Sequence, residues 1–358
     1  MDLISYEIKS TSPLTIEEAA PGDGDVCGSG MINMRFQAYV KTRMGTTDLE
    51  KYIEKYPKGW SQCLKFFEER TKRDFDPERL PNKIYSVPLW NADDDPDADI
   101  EDNSINLSTM DLTGIFLPVI RSALQLVHNQ YETLRANNKY PRGLILVGGF
   151  GKSKILMQEI KNTFSSFAPG FEVINPNFSW SAVAVGAVIH RLEGASVVTS
   201  RICRRHYGII TRLYYEEGVH SQASKTWDVD EEAYYADNVI RWHATKGLSI
   251  QGEQCISIPF YITGSAPSTS ELLEMVVSDE DNPPLEFEHT QKTRRLCSIT
   301  ADLSNVPRKS WLSRKTSNGN TYVYLKYNVG LTFGPGGLQF DVRVGDKIVG
   351  TAKADYEQ

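Results

Sequence analysis

In the first half of the chain, segments with alternating apolar residues are interspersed with segments of helical periodicity. Alternation over residues 2–9 and 14–20, separated by Ser10-Thr11-Ser12-Pro13, predicts a β-hairpin. Apolar residues spaced for one helix face predict helices over about 31–43, 59–73 and 111–136, with a short strand at 84–90. The pattern then predicts a strand at 144–147, a helix to about 164, a strand at 171–174 and a helix over 181–192. This alternation favours a layered α/β domain.

From about residue 201 the pattern becomes β throughout. Short apolar runs are separated by polar turns that contain glycine or proline, as in an antiparallel sandwich. The boundary is expected near residues 195–205. The predicted fold class is therefore α/β plus all-β, with one domain over residues 1–198 and a β-rich domain over 199–358.

The segment from Leu144 to Ser153 has a strand, a glycine-rich turn and a helix start in succession. Glycines at 148 and 149 would let backbone approach a ligand closely, and the helix start behind them offers N–H groups to an anion. The turn is not the common phosphate-binding loop, because Leu146 stands where that motif requires glycine. A nucleotide site is one hypothesis for this turn, and a purely structural tight turn is the other.

Composition and charge exclude several classes of function. The formal net charge of -7 over 358 residues argues against nucleic-acid and membrane-surface binding, which need basic surface. No run approaches the roughly 18 apolar residues that span a bilayer, and the acidic, alternating N-terminus does not resemble a signal peptide. The five cysteines are scattered without metal-ligand spacing, which favours reduced thiols and a cytoplasmic protein.

Two other candidate motifs carry little chemistry. The acidic run Asp93–Asp99 lacks the glycine and the closing glutamate of a calcium loop, so we expect a solvated loop and no metal. Ser29, between Gly28 and Gly30, only partly matches the nucleophile turn of hydrolases, so hydrolase chemistry is unsupported.

Four features, in order along the chain, resemble the DnaK-type 70-kDa heat-shock chaperones, a family of the actin-like ATPase superfamily. They are Gly22-Asp23 with Gly28, Glu69-x-x-Lys72-Arg73, Val147-Gly148-Gly149, and Asn175-Pro176 followed by Ala182-Val183-Ala184-x-Gly186-Ala187. The run Gly148-Gly149-Phe150-Gly151-x-Ser153 and Cys27-Gly28-Ser29 are more similar to a divergent fungal and animal branch. After residue 200, Tyr207-Gly208-Ile209 and Tyr327–Phe333 still resemble strands of the chaperone β-sandwich.

The resemblance implies the second lobe of an actin-like (ribonuclease H-like) ATPase domain, followed by a divergent antiparallel β-sandwich. It also implies that ATP or ADP is the cofactor. Glu69 would accept hydrogen bonds from ribose hydroxyls, and the aliphatic parts of Lys72 and Arg73 would cover the base. Backbone at Gly148 and Gly149 would approach the ribose and the α-phosphate. Phe150, Lys152 and Asp2 complete the implied nucleotide-binding residues.

The chain departs from the family pattern at two places. Lys152 stands where the standard chaperones carry an arginine over the adenine, which leaves stacking there in doubt. Asp2 is the only residue that matches the second phosphate motif, and nothing matches the first. We therefore expect an N-terminally truncated relative that does not hydrolyse ATP as written, with Mg²⁺ bound only if the missing N-terminal part is present.

Two alternatives remain beside this interpretation. The chain could be a non-enzymatic module whose β-rich domain binds a peptide or a client protein without any dependence on nucleotide. A sugar kinase or another actin-like phosphotransferase is disfavoured, because neither a catalytic aspartate between phosphate motifs nor a sugar-binding loop can be identified. The β-rich second half also speaks against a kinase.

Overall fold

The computed structural model describes residues 1–165, 168–193, 197–252, 254–317, 319–334 and 337–354. Helices are combined with mostly antiparallel strands in several sheets, which confirms the mixed fold class at this coarse level. The chain forms two units. The first contains Met1–Leu3 and Asp23–Ala195, and the second contains Ile4–Gly22 and Ser196–Gln358.

The α-helices of the described residues all belong to the first unit. In chain order they are α1 (Ser29–Met44), α2 (Thr46–Lys55), α3 (Pro57–Phe66), α4 (Lys72–Asp74), α5 (Thr109–Ala136), α6 (Lys154–Ser165) and α7 (Ala182–Glu193). The predicted helices over 31–43, 111–136 and 181–192 are present, with ends that differ by one or two residues. Sequence periodicity missed α2, which buries only Leu49 and Tyr52.

The core of the first unit forms between α1 and α5. Residues Ile32, Phe36 and Val40, spaced by four, are fully buried on one side of α1. The long helix α5 begins with a reciprocal cap, in which the Asp111 N–H donates to Ser108 Oγ and the Ser108 N–H donates to the Asp111 carboxylate. By length and apolar character α5 could cross a membrane. Its buried side chains nevertheless belong to this core, as they do in the core helix of a folded domain.

The predicted helix over 59–73 is not a continuous α-helix. After α3 the chain makes a π-helical turn over Phe67–Thr71 before the single turn of α4. The ring of Phe67 lies flat on Phe36 of α1, with centroids 3.9 Å apart. The π-turn is thus fixed to α1 by the stacking of two buried rings, and π-turns of this kind are frequent at functional sites.

Short sheets accompany these helices, and long antiparallel strands build the second unit. The strands in chain order are β1 (Asp2–Leu3), β2 (Tyr6–Thr11), β3 (Leu14–Glu18), β4 (Asp23–Gly24), β5 (Ile84–Pro88), β6 (Ile100–Glu101), β7 (Ser104–Ser108), β8 (Gly143–Ile145), β9 (Glu172–Ile174), β10 (Val198–Ile202), β11 (His206–Tyr214), β12 (Lys225–Asp228), β13 (Ala233–Ala244), β14 (Ser249–Gln251), β15 (Cys255–Gly264), β16 (Ser270–Ser278), β17 (Thr293–Asp302), β18 (Leu312–Lys315), β19 (Thr321–Gly334), β20 (Gly337–Val344) and β21 (Lys347–Ala354). In the first unit β1 pairs with β4, β5 and β6 flank β7, and β8 and β9 are parallel.

In the second unit two antiparallel sheets share one hydrophobic core. One sheet has the strand order β12-β13-β11-β16-β17, and the other has β15-β19-β20-β21 with β18 also paired to β19. Inward-facing residues of both sheets, such as Ile209 and Val277 from one and Leu325 and Val329 from the other, are almost fully buried in the shared cluster. A core between two antiparallel sheets is the arrangement that the short apolar runs after residue 201 predict.

The N-terminal hairpin belongs to the second unit, whereas the sequence prediction assigns residues 1–198 to one domain. The hairpin of β2 and β3 joins β10 and β14 in a mixed sheet, where β3 and β10 run parallel. The buried carboxylate of Glu18 accepts the N–H of Ile202 at 2.7 Å. The predicted boundary near 195–205 begins among residues 194–196, which lie outside the described part of the chain.

Burial of His243 makes the stability of the β-rich unit dependent on pH. Its ring stacks on Phe260, and its Nε2 is buried and has no hydrogen-bond partner among the described residues. Burial lowers the pKa of His243 from 6.5 to about 4. The unfolded chain therefore takes up the proton first, so the stability from neutral His243 is complete above pH 6.5 and is lost as the pH falls toward 4.

We expect the free energy of unfolding to fall by about 2 kcal/mol between pH 7.5 and pH 5 through this group. His243→Phe keeps a ring against Phe260 and should reduce the pH dependence of the free energy of unfolding. His289→Phe, which replaces an exposed histidine, is the control and should leave this pH dependence unchanged. Urea unfolding at both pH values measures the difference. Equal pH dependence in wild type and His243→Phe would contradict this account. Since burial also lowers the pKa of His206, part of the dependence should remain in the variant.

Candidate functional site

The glycine-rich turn connects β8 to α6 through a single 3-10 turn over Phe150–Lys152. Gly148 has a φ of +79°, a conformation that favours glycine, and its N–H donates to the Ser179 carbonyl at 2.7 Å. Gly151 is needed for a different reason, because a Cβ there would lie 3.1 Å from the carbonyl carbon of Leu146. At Gly149 φ is −63°, and a Cβ would make only ordinary contacts.

The segment after β9 supports this turn. The side-chain amide of Asn175 donates to the carbonyls of both Leu146 and Gly151, each at 2.9 Å. Ser179 is fully buried, and its hydroxyl donates to the Asn175 side-chain oxygen at 3.4 Å. Asn175 therefore joins the two ends of the glycine turn. The sequence indicates Asn175-Pro176 only as the start of a connecting helix, and this supporting role was not predicted.

The charged motif lies on the π-turn and α4. Glu69 and Arg73 line a cavity of about 500 Å³, together with residues of α1, α3 and the π-turn: Asn33, Phe36, Gln37, Leu64, Lys65, Phe67 and Glu68. Both side chains are exposed, and neither forms an ion pair with a described residue. A carboxylate and a guanidinium are thus available at the cavity for a polar ligand.

Lys72 differs from its neighbours in the motif. Its side chain is only 9% exposed, and its ammonium donates to Asn33 Oδ1 at 2.8 Å and to Glu68 Oε1 at 3.3 Å. Burial lowers the pKa of Lys72, although Glu68 acts in the opposite direction. The structure thus places Glu69 and Arg73 at one cavity, while the Lys72 ammonium is engaged with α1. The resemblance implies that all three line the adenosine.

An ion pair connects the charged motif to the glycine turn. Asp76, three residues after Arg73, lies 3.0 Å from the Lys154 ammonium at the first position of α6. The hydrogen bond from Lys154 lowers the pKa of Asp76, so the pair is charged at neutral pH. Between Arg73 and Asp76, the ring of Phe75 is buried against Phe116 of α5, with centroids 4.7 Å apart. The segments that carry the two motifs are therefore neighbours in the fold.

The remaining predicted residues lie around these two segments or apart from them. Phe150 is half-buried against the core of the first unit, and Lys152 is exposed without an ion pair to a described residue. Asp2 pairs with Gly24 in the short sheet of β1 and β4. Within the described chain, the residues that line the cavity include none of Gly148, Gly149, Phe150, Lys152 and Asp2. The cavity and the glycine turn are thus two separate features.

The acidic run is used for local structure. Asp95 accepts the N–H groups of Asp97 and Ala98, and Asp94 accepts that of Asp102. Asp99 forms an ion pair of 2.7 Å with Arg43. In the described ranges, no group of three or more His, Cys, Asp or Glu side chains is arranged to hold a metal ion.

Comparison with known proteins gives no assignment: no protein-family model matches this chain, and no curated protein matches it.

The double hydrogen bond of Asn175 can be tested by substitution. Asn175→Ala leaves the carbonyls of Leu146 and Gly151 without this donor, so we expect the chain to lose about 1–3 kcal/mol of stability. Asn175→Asp keeps the shape but replaces the donor by an acceptor, and it should cost at least as much. Asn177→Ala, at an exposed position of the same loop, is the control and should have little effect. Urea unfolding measures all three, and equal stabilities of Asn175→Ala and Asn177→Ala would contradict the assigned role.

Proposed function

We propose that this chain is a nucleotide-binding protein related to the heat-shock chaperones, with the second lobe of an actin-like ATPase domain and a divergent β-sandwich. In this proposal it binds ATP or ADP through an adenosine half-site. The observation that carries the proposal is the Asp76–Lys154 ion pair, which joins the Glu69/Arg73 segment to the glycine turn. The ion pair connects the segments that follow the two motifs, which lie 75 residues apart in sequence, from Arg73 to Gly148.

The Glu69/Arg73 segment and the glycine turn carry groups that suit the ribose and the phosphates of a nucleotide, respectively. The Glu69 carboxylate can accept hydrogen bonds from ribose hydroxyls, and the Arg73 guanidinium adds a cation at the same cavity. The α6 helix start behind the glycine turn carries a partial positive charge, which favours a phosphate. Lys152, exposed beside this helix start, adds a further cation. The Lys72 ammonium contributes by fixing the π-turn to α1.

Binding without efficient hydrolysis is the activity we propose for these residues. Phosphoryl transfer requires groups that position phosphates, a metal ion and the attacking water. We assign no residue of the described site to any of those roles. A cytoplasmic protein that responds to ATP or ADP by ligand-induced stabilisation would be consistent with this half-site.

A groove in the β-rich unit favours a second candidate function, the binding of an acidic peptide without nucleotide. This cavity of about 500 Å³ is lined by Arg241, Pro259, Phe260, Tyr261, Lys326, Tyr327, Asn328 and Gly345. It contains two cations and no carboxylate, and Lys326 forms no ion pair with a described residue. An extended peptide with acidic side chains would complement this lining.

The two functions differ in the response of the melting temperature to ATP. A ligand that binds only the folded chain must stabilise it, so millimolar ATP should raise the melting temperature if the adenosine half-site exists. Gly149→Val should abolish this rise with little change in the melting temperature of the free protein, since the backbone at Gly149 accepts a side chain. Differential scanning fluorimetry with and without ATP measures both quantities.

Gly114→Val is the matched control, because it adds the same side chain at an open glycine of α5. It should keep the full response to ATP. An undiminished rise in Gly149→Val would remove the glycine turn from the site. No rise in the wild-type chain would favour the peptide-binding function.

A further inference from the structure

An exposed tryptophan lies directly on the glycine turn. A Cβ built on Gly149 would be 3.6 Å from Cζ3 and 3.7 Å from Cε3 of Trp180, so the six-membered ring of the indole covers this glycine. The side chain is nevertheless 68% exposed. Its indole N–H donates to no described residue. Trp180 therefore presents a large aromatic surface to solvent at the turn to which we assign nucleotide binding.

The backbone that carries Trp180 is held in place by hydrogen bonds. The carbonyl of the preceding residue, buried Ser179, accepts the Gly148 N–H at 2.7 Å, and the Ser179 N–H donates to the Pro176 carbonyl at 2.9 Å. The Ser181 N–H donates to the Phe178 carbonyl at 3.0 Å. The backbone on both sides of Trp180 is thus held by hydrogen bonds, which keeps the residue beside the turn. A backbone held in this way loses little conformational entropy when a ligand binds.

We infer that Trp180 is the residue on which the base of the bound nucleotide stacks. This inference rests on the proposed nucleotide binding and names a contact of that same site. The π-face of an indole stacks on a flat heteroaromatic base, while the backbone of the glycine turn and the start of α6 lie beside it for the phosphates. The site then has an aromatic surface at the turn itself, where Lys152 offers only a cation.

Stacking of a base on Trp180 predicts a particular order of ligand affinities. Every base has a π-face, so stacking on Trp180 accepts adenine and guanine alike, and a polyphosphate without a base gains nothing from it. We therefore expect loss of the indole to weaken the binding of ADP and the binding of GDP by similar factors. Tripolyphosphate, which carries phosphates alone, should be unaffected by the same substitution.

The test is calorimetric titration of the full chain with ADP, GDP and tripolyphosphate. Removal of one base–aromatic stack raises Kd by about 5- to 150-fold. We expect Trp180→Ala to raise Kd for ADP by about tenfold or more within that range, and Trp180→Phe to retain part of the affinity. Phe178→Ala is the matched control, because it truncates an aromatic side chain of the same loop that is 79% exposed. The Kd of Phe178→Ala for ADP should stay within about twofold of the wild-type Kd, a smaller change than the loss of a base–aromatic stack causes.

The outcomes separate this inference from the proposed function. If wild type binds ADP and Trp180→Ala binds it equally well, the stacking role is overturned and nucleotide binding stands. If Trp180→Ala weakens the binding of tripolyphosphate as much as that of ADP, the indole supports the conformation of the turn and does not contact the base. This result also overturns the inference. If wild type binds neither nucleotide at millimolar concentration, both proposals fail. Quenching of tryptophan fluorescence by ADP in wild type, absent in Trp180→Phe, would support direct contact.

Discussion

The conformation of the glycine turn depends on one carboxamide. Asn175 donates two hydrogen bonds from a single nitrogen, one to each end of the turn, and thereby fixes the distance between the end of β8 and the start of α6. The Gly148 N–H then points to Ser179, which places Trp180 over Gly149. Since buried backbone groups must find partners, the turn and the Asn175–Trp180 segment form one hydrogen-bonded substructure. The candidate site is built from that substructure and from the segment joined to it by Asp76 and Lys154.

The π-turn has a comparable effect on the charged motif. In an α-helix, residues four apart lie on one face, so Glu69 and Arg73 would be placed to pair with each other. The π-turn over Phe67–Thr71 changes this spacing, and the two side chains remain without an ion pair to a described residue. Lys72 instead reaches Asn33 and Glu68. The stack of Phe67 on Phe36 holds the turn in this form, so two core rings decide which charges of the motif are available to a ligand.

Local patterns predict the elements of this chain better than their contacts. Four-residue spacing of apolar side chains identifies α1 and α5, because these helices bury one continuous face. Short apolar runs between polar turns with glycine or proline indicate the strands of the second unit. The parallel pairing of β3 with β10 leaves no local signal, so the sequence prediction groups the hairpin with the first domain, whereas its contacts group it with the second unit. Sequence periodicity does not indicate the π-turn either. The ring of Phe67 in this turn stacks on Phe36 of α1, a contact that local spacing does not show.

In the candidate site, too, the sequence identifies residues but not the contacts that explain them. Its glycines are visible in the sequence, but the sequence does not distinguish their reasons. Gly148 is explained by its positive φ and Gly151 by its close approach to Leu146, whereas neither reason applies to Gly149. Gly149 lies in an ordinary helical conformation beneath an exposed indole, and the fold itself would accept a side chain there. The contact that a side chain at Gly149 would make is with the indole of Trp180. The three neighbouring glycines thus differ in what the fold requires of them, and Gly149→Val is the substitution that tests the proposed role of the turn with the least disturbance of the fold.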